Sequence, residues 1–266
     1  MVCGWLLELC SGLIRHPRVG AVAVFGSATR PEDYVRGVSD VDVLVVSWVK
    51  LSFRERLRLE EECRCSLVQL TPGELGDVFE LGHPLAFLLY RDSLVLYDSG
   101  VLKRAIREPE VTEYTLEVLK RSAVVAYCLS LERYFHGEYV RAVSHSYHAL
   151  RHAVRWLSLR MGLGFPASDR EVADAAHEAR STFLMLRQLR RREVSRGECK
   201  LALDAASSAI EELTGGRLPR VGEVEHAICS LSQPELSYIH LSGIREIRAV
   251  FYTREGIVHL VFEYSM

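Results

Sequence analysis

Two apolar stretches, each joined to a short polar motif, constrain the fold of this sequence more than any other feature. They lie in residues 22–46, which read VAVFGSATRPEDYVRGVSDVDVLVV. The first stretch ends in Gly26-Ser27, twelve residues separate Ser27 from Asp40, and the second stretch begins with Asp40 and Asp42. Side chains alternate between the two faces of a strand, so these aspartates are expected on one face, about 6–7 Å apart along the backbone. The pattern predicts two buried strands, the second opening with a pair of carboxylates.

The chemistry of these residues indicates a site for a cation and a phosphate. Two neighbouring carboxylates repel each other unless a cation lies between them. Hard oxygen ligands that share the metal with a phosphate suit Mg²⁺. Glycine lacks a Cβ, so a Gly-Ser turn can bring backbone N–H groups close to a phosphate.

The combination of an apolar residue before Gly-Ser, a spacer of about a dozen residues and the run Ser-Asp-Val-Asp-Val-Leu-Val resembles a known family. It is similar to the polymerase-β-type nucleotidyltransferase superfamily, in particular its minimal nucleotidyltransferase branch. The resemblance implies an enzyme that moves a nucleoside monophosphate from an NTP substrate to a hydroxyl acceptor, with Mg²⁺ (or Mn²⁺) as cofactor. It further implies that Asp40 and Asp42 are catalytic and bind the metal, and that Gly26 and Ser27 bind the nucleotide phosphates.

Three other residues of this loop are weaker candidates. Arg30 is a candidate nucleotide-binding residue, because a guanidinium fork matches phosphate oxygens; it is equally compatible with a solvated loop position. Arg36 is a still weaker candidate for that role. Ser39 precedes Asp40 as in the family pattern, so the resemblance implies that it orients Asp40 or contacts the nucleotide.

The third carboxylate that the resemblance implies is absent from its expected strand. That strand is predicted at residues 66–70, where the acid would stand at Gln69, or at Ser66 in a shifted alignment. A neutral amide cannot act as a general base and is a poor substitute for a carboxylate on Mg²⁺. Either a carboxylate arrives from elsewhere, or the chain is a catalytically degenerate nucleotide-binding or toxin–antitoxin-like regulatory module. The acidic residues at 60–62 and 74 are interpreted as exposed helix charges.

Composition limits the other possibilities. The chain has 266 residues, of which 48% are hydrophobic, enough for one large or two modest domains. The net charge of −2 gives no overall attraction to nucleic acid or membrane. No apolar run approaches a membrane span of about 18 residues, and the seven cysteines contain no C-x-x-C pair. We therefore expect a cytoplasmic protein with reduced thiols, no membrane partner and a possible homodimer.

One compositional bias concerns the source. The sequence has no asparagine, three glutamines and 29 arginines against four lysines. Depletion of thermolabile amides is typical of a thermophile. The arginine bias is equally explained by a GC-rich genome.

The order of the predicted elements indicates an α+β fold in three parts. A small mixed β-sheet forms a nucleotidyltransferase domain over residues 1–110, and a helical bundle over 111–216 follows it. A short β-rich segment of unknown role occupies 217–266. The helices of the bundle are predicted at 112–136, 138–162, 169–178 and 180–213, and the C-terminal strands at 236–241, 244–253 and 257–264.

The bundle carries a second, looser resemblance. Residues 131–162 have a glycine after the first long helix, a tyrosine on the next and a terminal glycine, which resembles the HEPN helical family. A generic helical bundle is the alternative. Within this stretch a polar stripe is interpreted either as an interdomain wall that meets nucleotide or RNA, or as a solvated or helix-contacting face. The stripe comprises Arg141, His145, His148, His152 and Arg155.

Overall fold

The computed structural model describes residues 2–34, 39–242 and 246–264 and divides the chain into two compact units. Unit 1 contains Met1–Thr115 and Ala167–Asp169, and unit 2 contains Leu116–Pro166 and Arg170–Met266. The predicted strand start at residue 244 and the candidate Arg36 lie outside the described residues.

Unit 1 is built on a four-stranded sheet in the order β3-β2-β1-β4. The strand β1 pairs antiparallel with β2 and with β4, while β2 and β3 are parallel, so the sheet is mixed as predicted. The elements of unit 1 are α1 (Val2–Leu9), α2 (Ser11–Ile14), β1 (Val19–Phe25), β2 (Asp42–Ser47), α3 (Phe53–Cys63), β3 (Ser66–Leu70), α4 (Pro72–Glu80), α5 (Pro84–Asp92), β4 (Leu94–Asp98) and α6 (Val101–Ala105).

Helices cover both faces of this sheet. One face carries Val22 and Val43 into a core with residues of α1, α2 and α3. The other face carries Ala23 and Leu44 into a core with residues of α4, α5 and α6. A strand that is buried on both faces reads as a continuous apolar run instead of an alternating one, which explains the sequence of β1.

The last segment of unit 1 is held by a glycine turn after α4. Thr112 Oγ1 donates to Leu81 O at 2.7 Å, and Thr115 Oγ1 donates to Gly82 O at 2.6 Å. Gly82 has a φ of 65°, and a Cβ there would lie 2.2 Å from the carbonyl oxygen of Glu110. This close approach fixes residues 110–115 against unit 1 and accounts for a unit boundary after Thr115 instead of after residue 110.

Unit 2 joins a helical bundle and a three-stranded antiparallel sheet, β5-β6-β7, in one core. Inward-facing residues such as Ile247 and Phe251 of the sheet are buried with Tyr147 and Phe183 of the helices. The elements are α7 (Glu113–Phe135, which begins in unit 1), α8 (Tyr139–Arg160), α9 (Asp169–Ala175), α10 (Arg180–Leu189), α11 (Arg196–Thr214), α12 (Val221–Cys229), β5 (Glu235–Ser242), β6 (Glu246–Thr253) and β7 (Gly256–Glu263).

The long helix predicted at 180–213 is wrong in one respect, because the structure has two helices there. The chain leaves α10 after Leu189, and α11 begins at Arg196. Ser195 Oγ accepts from the backbone N–H of Glu198, whose side chain in turn accepts from the backbone N–H of Ser195. This capping box is visible in the sequence as Ser-x-x-Glu, but the apolar periodicity that continues through the break hid it.

Within the described residues, none of the helices combines the length and apolar character that a bilayer crossing needs.

The glycine turn at Gly82 gives a stability prediction. Gly82→Ala is expected to destabilise the protein by about 1–3 kcal/mol, because an L-residue with positive φ is strained and its Cβ meets a backbone oxygen. The matched control is Gly76→Ala inside α4, where a Cβ meets nothing within 4 Å. Alanine there should stabilise the helix by up to about 1 kcal/mol. Urea unfolding of both variants checks the prediction, and equal stabilities would contradict it.

Candidate functional site

A glycine packed against a carboxylate defines the centre of the candidate site. The β1–β2 ladder ends with Phe25 opposite Asp42. The next residue, Gly26, has a φ of 74°, and a Cβ on it would lie 2.9 Å from Oδ2 of Asp42. A side chain larger than hydrogen therefore does not fit between this backbone and the carboxylate. Gly26 opens a short 3₁₀ turn that ends at Thr29, whose Oγ1 donates to the Gly26 carbonyl at 2.8 Å.

Asp42 lies on the face of the strand that points away from the buried Val41. Val41 is buried in the core formed with α1, α2 and α3, and its carbonyl accepts from the backbone N–H of Ser66 at 2.9 Å. Alternation along β2 places Asp42 on the opposite face. The prediction that Asp40, which precedes the strand, shares this face stays a prediction. Asp40 is exposed and Asp42 is half-buried. Ser39, directly before them, is half-buried.

The strand register corrects the prediction for the third carboxylate position. In the parallel β2–β3 pair, Asp42 lies opposite Ser66, while Gln69 lies opposite Val45. Gln69 is three residues further along β3, on the other face of the sheet, and its Nε2 donates to Ser47 Oγ at 2.9 Å. Gln69 is therefore the wrong position, and the shifted alignment with Ser66 is the one that the structure supports. The five-residue sequence of β3 does not show which of its positions faces the aspartates. Only the pairing register between β2 and β3 decides this.

The neighbouring acidic residues have structural roles. Glu60 accepts from the backbone N–H of Leu67, which supports the start of β3. Glu74 completes the capping box of α4 with Thr71 and pairs with Lys50 at 2.5 Å, and the hydrogen bond from Lys50 lowers the pKa of Glu74. Over residues 2–34, 39–242 and 246–264, no three His, Cys, Asp or Glu side chains come together in an arrangement that could hold a metal ion.

Arg30 lies in a buried cluster of charges. It is only 9% exposed, and its Nε donates to Asp33 Oδ2 at 2.7 Å while Nη1 pairs with Asp92. Asp33 also accepts from the backbone N–H of Asp169 at 3.0 Å, within unit 1. The interpretation of Arg30 as a solvated loop residue is therefore wrong, since the guanidinium connects the loop after Gly26 to α5. The partner Asp33 could have been identified from its i,i+3 spacing, but Asp92 is distant in sequence.

One arginine nitrogen of this cluster keeps a free donor. Nη2 of Arg30 is buried and has no hydrogen-bond partner among the described residues. Two carboxylates already compensate the positive charge of Arg30, which weakens its attraction for a phosphate. Its assignment as a nucleotide-binding residue stays a prediction.

The polar stripe on α8 divides into exposed and buried residues. Arg141 is 71% exposed and pairs with Glu138, whereas Arg155 is buried, with Nε donating to Pro166 O at 3.0 Å and the guanidinium 4.6 Å from the Phe165 ring centroid. Burial, followed by the charges of neighbouring arginines, lowers the pKa of His148 and lowers that of His152 to about 3. Both imidazoles are therefore neutral at pH 7. The proposal that this stripe faces the aspartates stays a prediction.

Comparison with known proteins identifies the fold. No protein-family model and no curated protein matches the sequence. Among solved structures, spectinomycin adenyltransferase AAD(9) from Enterococcus faecialis, crystallised with ATP and spectinomycin, matches with a TM-score of 0.53 and 12% identity, covering 80% of this chain and 98% of that one. The chain has the nucleotidyltransferase fold.

Two further structures are more distant. A nucleotidyltransferase-like protein from Exiguobacterium sibiricum 255-15 has a TM-score of 0.38 and 16% identity, covering 89% of this chain and 82% of that one. A toxin–antitoxin with AMP-PNP has a TM-score of 0.28 and 14% identity, covering 40% of this chain and 85% of that one. The α+β fold class predicted from the sequence is confirmed by the first match and by the two sheets and the bundle observed here.

The contact between Gly26 and Asp42 is open to a double-mutant test. Gly26→Ala is expected to destabilise the protein by about 1–3 kcal/mol through the positive φ and the clash with Oδ2 of Asp42. Asp42→Ala removes the clashing atoms but not the φ strain. In the double variant the two effects should therefore be less than additive, with a coupling of about 0.5–3 kcal/mol. Denaturant unfolding of the four proteins measures it, and strict additivity would show that the two groups do not touch.

Proposed function

We propose that the chain is a nucleotidyltransferase that uses Mg²⁺ (or Mn²⁺) to transfer a nucleoside monophosphate from an NTP to a hydroxyl acceptor. The observation that carries this proposal is the close approach of the Gly26 backbone to the Asp42 carboxylate, at the end of two paired strands. The nucleotidyltransferase fold and the ATP bound by the adenyltransferase neighbour support it.

The residues present fit a divalent cation beside phosphates. Asp40 and Asp42 supply hard carboxylate oxygens on one face, which is the donor set that Mg²⁺ prefers together with phosphate oxygens. Because Gly26 has no Cβ, its backbone lies directly beside the Asp42 carboxylate, so a cation on that carboxylate and a phosphate on the Gly26 turn would be neighbours. When bound, the cation would neutralise charge on the phosphates.

The protein's own part in the reaction is positioning. Backbone N–H groups of Gly26 and Ser27 would hold the terminal phosphates, since successive N–H groups in a tight turn form an anion-binding concavity. Asp40 and Asp42 would orient the reacting phosphate through the metal, and Ser39 would contact the nucleotide or orient Asp40. Such positioning accounts for much of the rate enhancement in group-transfer reactions, because it removes the entropy cost of bringing two reactants together.

A second candidate function is favoured by Ser66. This residue lies opposite Asp42, at the position where a general base would be expected, and a serine hydroxyl is a weak base. The alternative is therefore a nucleotide-binding or toxin–antitoxin-like regulatory module with weak or lost transfer activity. A transfer screen with labelled NTPs and Mg²⁺ or Mn²⁺ distinguishes the two functions, because the module binds nucleotide without turnover.

The acceptor is a small molecule, an RNA end or a protein side chain, and the screen should include all three. The adenyltransferase neighbour contains spectinomycin together with ATP, which supports small molecules as the first class to test. The HEPN-like character of the bundle, the three-part domain division, a cytoplasmic location, a homodimer and a thermophilic source remain proposals from the sequence.

Replacing either aspartate tests the metal assignment. Mutating a residue that only supports a metal ligand lowers metal affinity by about 10–100-fold. Asp40 and Asp42 are the proposed ligands themselves, so Asp40→Asn and Asp42→Asn are each expected to lower the affinity for Mg·ATP by more than this. Both variants should fold, and the loss of like-charge repulsion should hold or raise the melting temperature of the ligand-free protein. The matched control is Asp77→Asn, an exposed residue of α4.

Isothermal titration calorimetry with Mg·ATP measures the three affinities. Wild-type affinity in both Asp40→Asn and Asp42→Asn would contradict the metal assignment. Equal losses of affinity in all three variants would indicate a nonspecific charge effect.

The register between β2 and β3 gives a gain-of-function prediction. Ser66→Asp should create or strengthen transfer activity, because a carboxylate opposite Asp42 can accept the proton of the attacking hydroxyl. General base catalysis typically raises a reaction rate by about 10²–10⁴-fold, which is the size of the gain expected here. Gln69→Asp is the control, since Gln69 faces the other side of the sheet. Melting curves confirm that both variants fold, and activity gained by Gln69→Asp alone would overturn the register-based assignment.

A further inference from the structure

The three-stranded sheet of unit 2 ends in two edge strands, β5 and β7, which differ in how they are protected. An edge strand exposes unpaired N–H and C=O groups, and proteins usually protect it with a proline, a β-bulge, charged side chains or a covering element. The chain enters β5 just after Pro234, and the register of β5 with β6 shifts between Leu236 and Tyr238. The backbone N–H of Ile239 donates to Oε2 of Glu132 in α7 at 3.0 Å. These features protect the β5 edge against pairing with a further strand.

The β7 edge lacks these features. All eight residues of β7 pair with β6 without a register shift, and their sequence, GIVHLVFE, contains neither proline nor lysine. Within the described part of the chain, β6 is the only strand that pairs with β7, and no backbone–backbone hydrogen bond beyond that ladder involves residues 256–263. The capacity of β7 to pair with a second strand is therefore unused among the described residues.

The hairpin between β6 and β7 shows which backbone groups of β7 point outward. A loop of two residues joins the strands, and Thr253 lies directly opposite Gly256. The residues that flank such a loop form a hydrogen-bonded pair, and hydrogen-bonded pairs then alternate with non-bonded pairs along the strands. Every second residue of β7 therefore directs its N–H and C=O away from β6. These residues are Ile257, His259, Val261 and Glu263.

The side chains of β7 make this edge apolar on both faces of the sheet. On the outer face, Ile257 and Val261 are 61% and 49% exposed. On the inner face, Leu260 and Phe262 are only partly buried against the core of unit 2. A flat apolar edge with unpaired backbone groups is a template for another strand. The outer face carries two further exposed side chains, of His259 and Glu263, which can form a polar pair across such a contact.

We propose that two copies of this chain pair through β7, with the strands antiparallel and a two-fold axis at Val261. An interface of this symmetry uses the same surface of both copies, so it must be complementary to itself. In this arrangement His259 lies opposite Glu263 of the partner subunit, and this pair occurs twice. The imidazole N–H donates to the carboxylate. On the inner face Leu260 lies opposite Phe262 of the partner subunit, which continues the apolar core from one copy into the other.

Charge complementarity selects this register over its neighbours. A shift by one residue would place outer-face residues opposite inner-face residues. A shift by two residues in one direction places Glu263 opposite Ile257, and the same shift in the other direction places Glu263 opposite Val261. Both leave the carboxylate opposite an apolar side chain. The contact is a single pair of strands, and small interfaces are typical of weak, reversible association.

Sedimentation velocity of the full chain without ligand tests the interface, whether or not the protein transfers nucleotides. Over a concentration range from about 1 μM to about 1 mM, the sedimentation coefficient should rise from the value for a monomer to the value for a dimer. A monomer at every concentration would overturn the proposal. Assembly beyond the dimer would also contradict it, because the two-fold contact uses the β7 edge of both copies.

Charge reversal tests the register. Glu263→Lys should weaken dimerisation on the order of 10–100-fold, because it removes two attractive cross-strand pairs and places a second basic group opposite each His259. The double variant His259→Glu with Glu263→Lys should restore the wild-type affinity, since opposite charges face each other again. Glu235→Lys, on the protected β5 edge, is the matched control and should dimerise as the wild type does.

Three results of this series would contradict the register. They are wild-type dimerisation by Glu263→Lys, no restoration in the double variant, and an equal loss in Glu235→Lys.

A proline at the two-fold axis tests pairing through the backbone. Val261→Pro removes an N–H that points away from β6, so the β6–β7 ladder keeps its hydrogen bonds. In the dimer this N–H donates to the carbonyl of Val261 of the partner subunit, so the variant should stay monomeric up to about 1 mM. Val261→Thr keeps the N–H and the β-branched shape, and it should dimerise. Melting curves confirm that both variants fold, and wild-type dimerisation by Val261→Pro would overturn the proposal.

Discussion

The close approach between the Gly26 backbone and the Asp42 carboxylate is the constraint on which the candidate site depends. It requires β1 to end at Phe25 in register with Asp42, and it requires a residue without a side chain at the next position. The buried faces of β1 and β2 fix that register, because a shift by one residue would move every side chain to the opposite face of a sheet that is covered on both sides. The geometry of the site is therefore a consequence of the core and not of the loop alone.

Buried charges support the loop that follows. Arg30 is held by Asp33 and Asp92, and Asp33 also caps the backbone of Asp169. Breaking a buried, hydrogen-bonded ion pair leaves a desolvated charge, so the members of such a cluster are fixed relative to one another. The β1–β2 register places Asp42 beside Gly26, and the β2–β3 register places Ser66 on the other side of Asp42. The site thus combines the two aspartates proposed to bind metal with a serine where a carboxylate is expected. For this reason both the enzyme and the regulatory module are to be tested.

Much of the fold was predictable from the sequence, for identifiable physical reasons. The strands β1 and β2 are continuous apolar runs because both faces of the sheet are covered, and the start of α4 is visible as Thr71 followed by proline and by Glu74 three residues on. The long bundle helices follow from apolar periodicity. The break between α10 and α11 was missed because the periodicity continues across it and outweighed the capping signal at Ser195.

Other features depend on contacts between residues distant in sequence. Gln69 and Ser66 could not be ranked without the β2–β3 register, and the partner of Arg30 in α5 has no sequence signature.

The most direct test of the central claim is an anomalous difference map from crystals grown with Mn²⁺ and a non-hydrolysable ATP analogue. The account predicts a manganese peak bound by carboxylate oxygens of both Asp40 and Asp42, at the metal–oxygen distance of about 2 Å that small divalent cations require. It also predicts the terminal phosphates of the analogue on the backbone N–H groups of Gly26 and Ser27. A manganese peak away from the aspartates, or phosphates bound elsewhere on the chain, would contradict it.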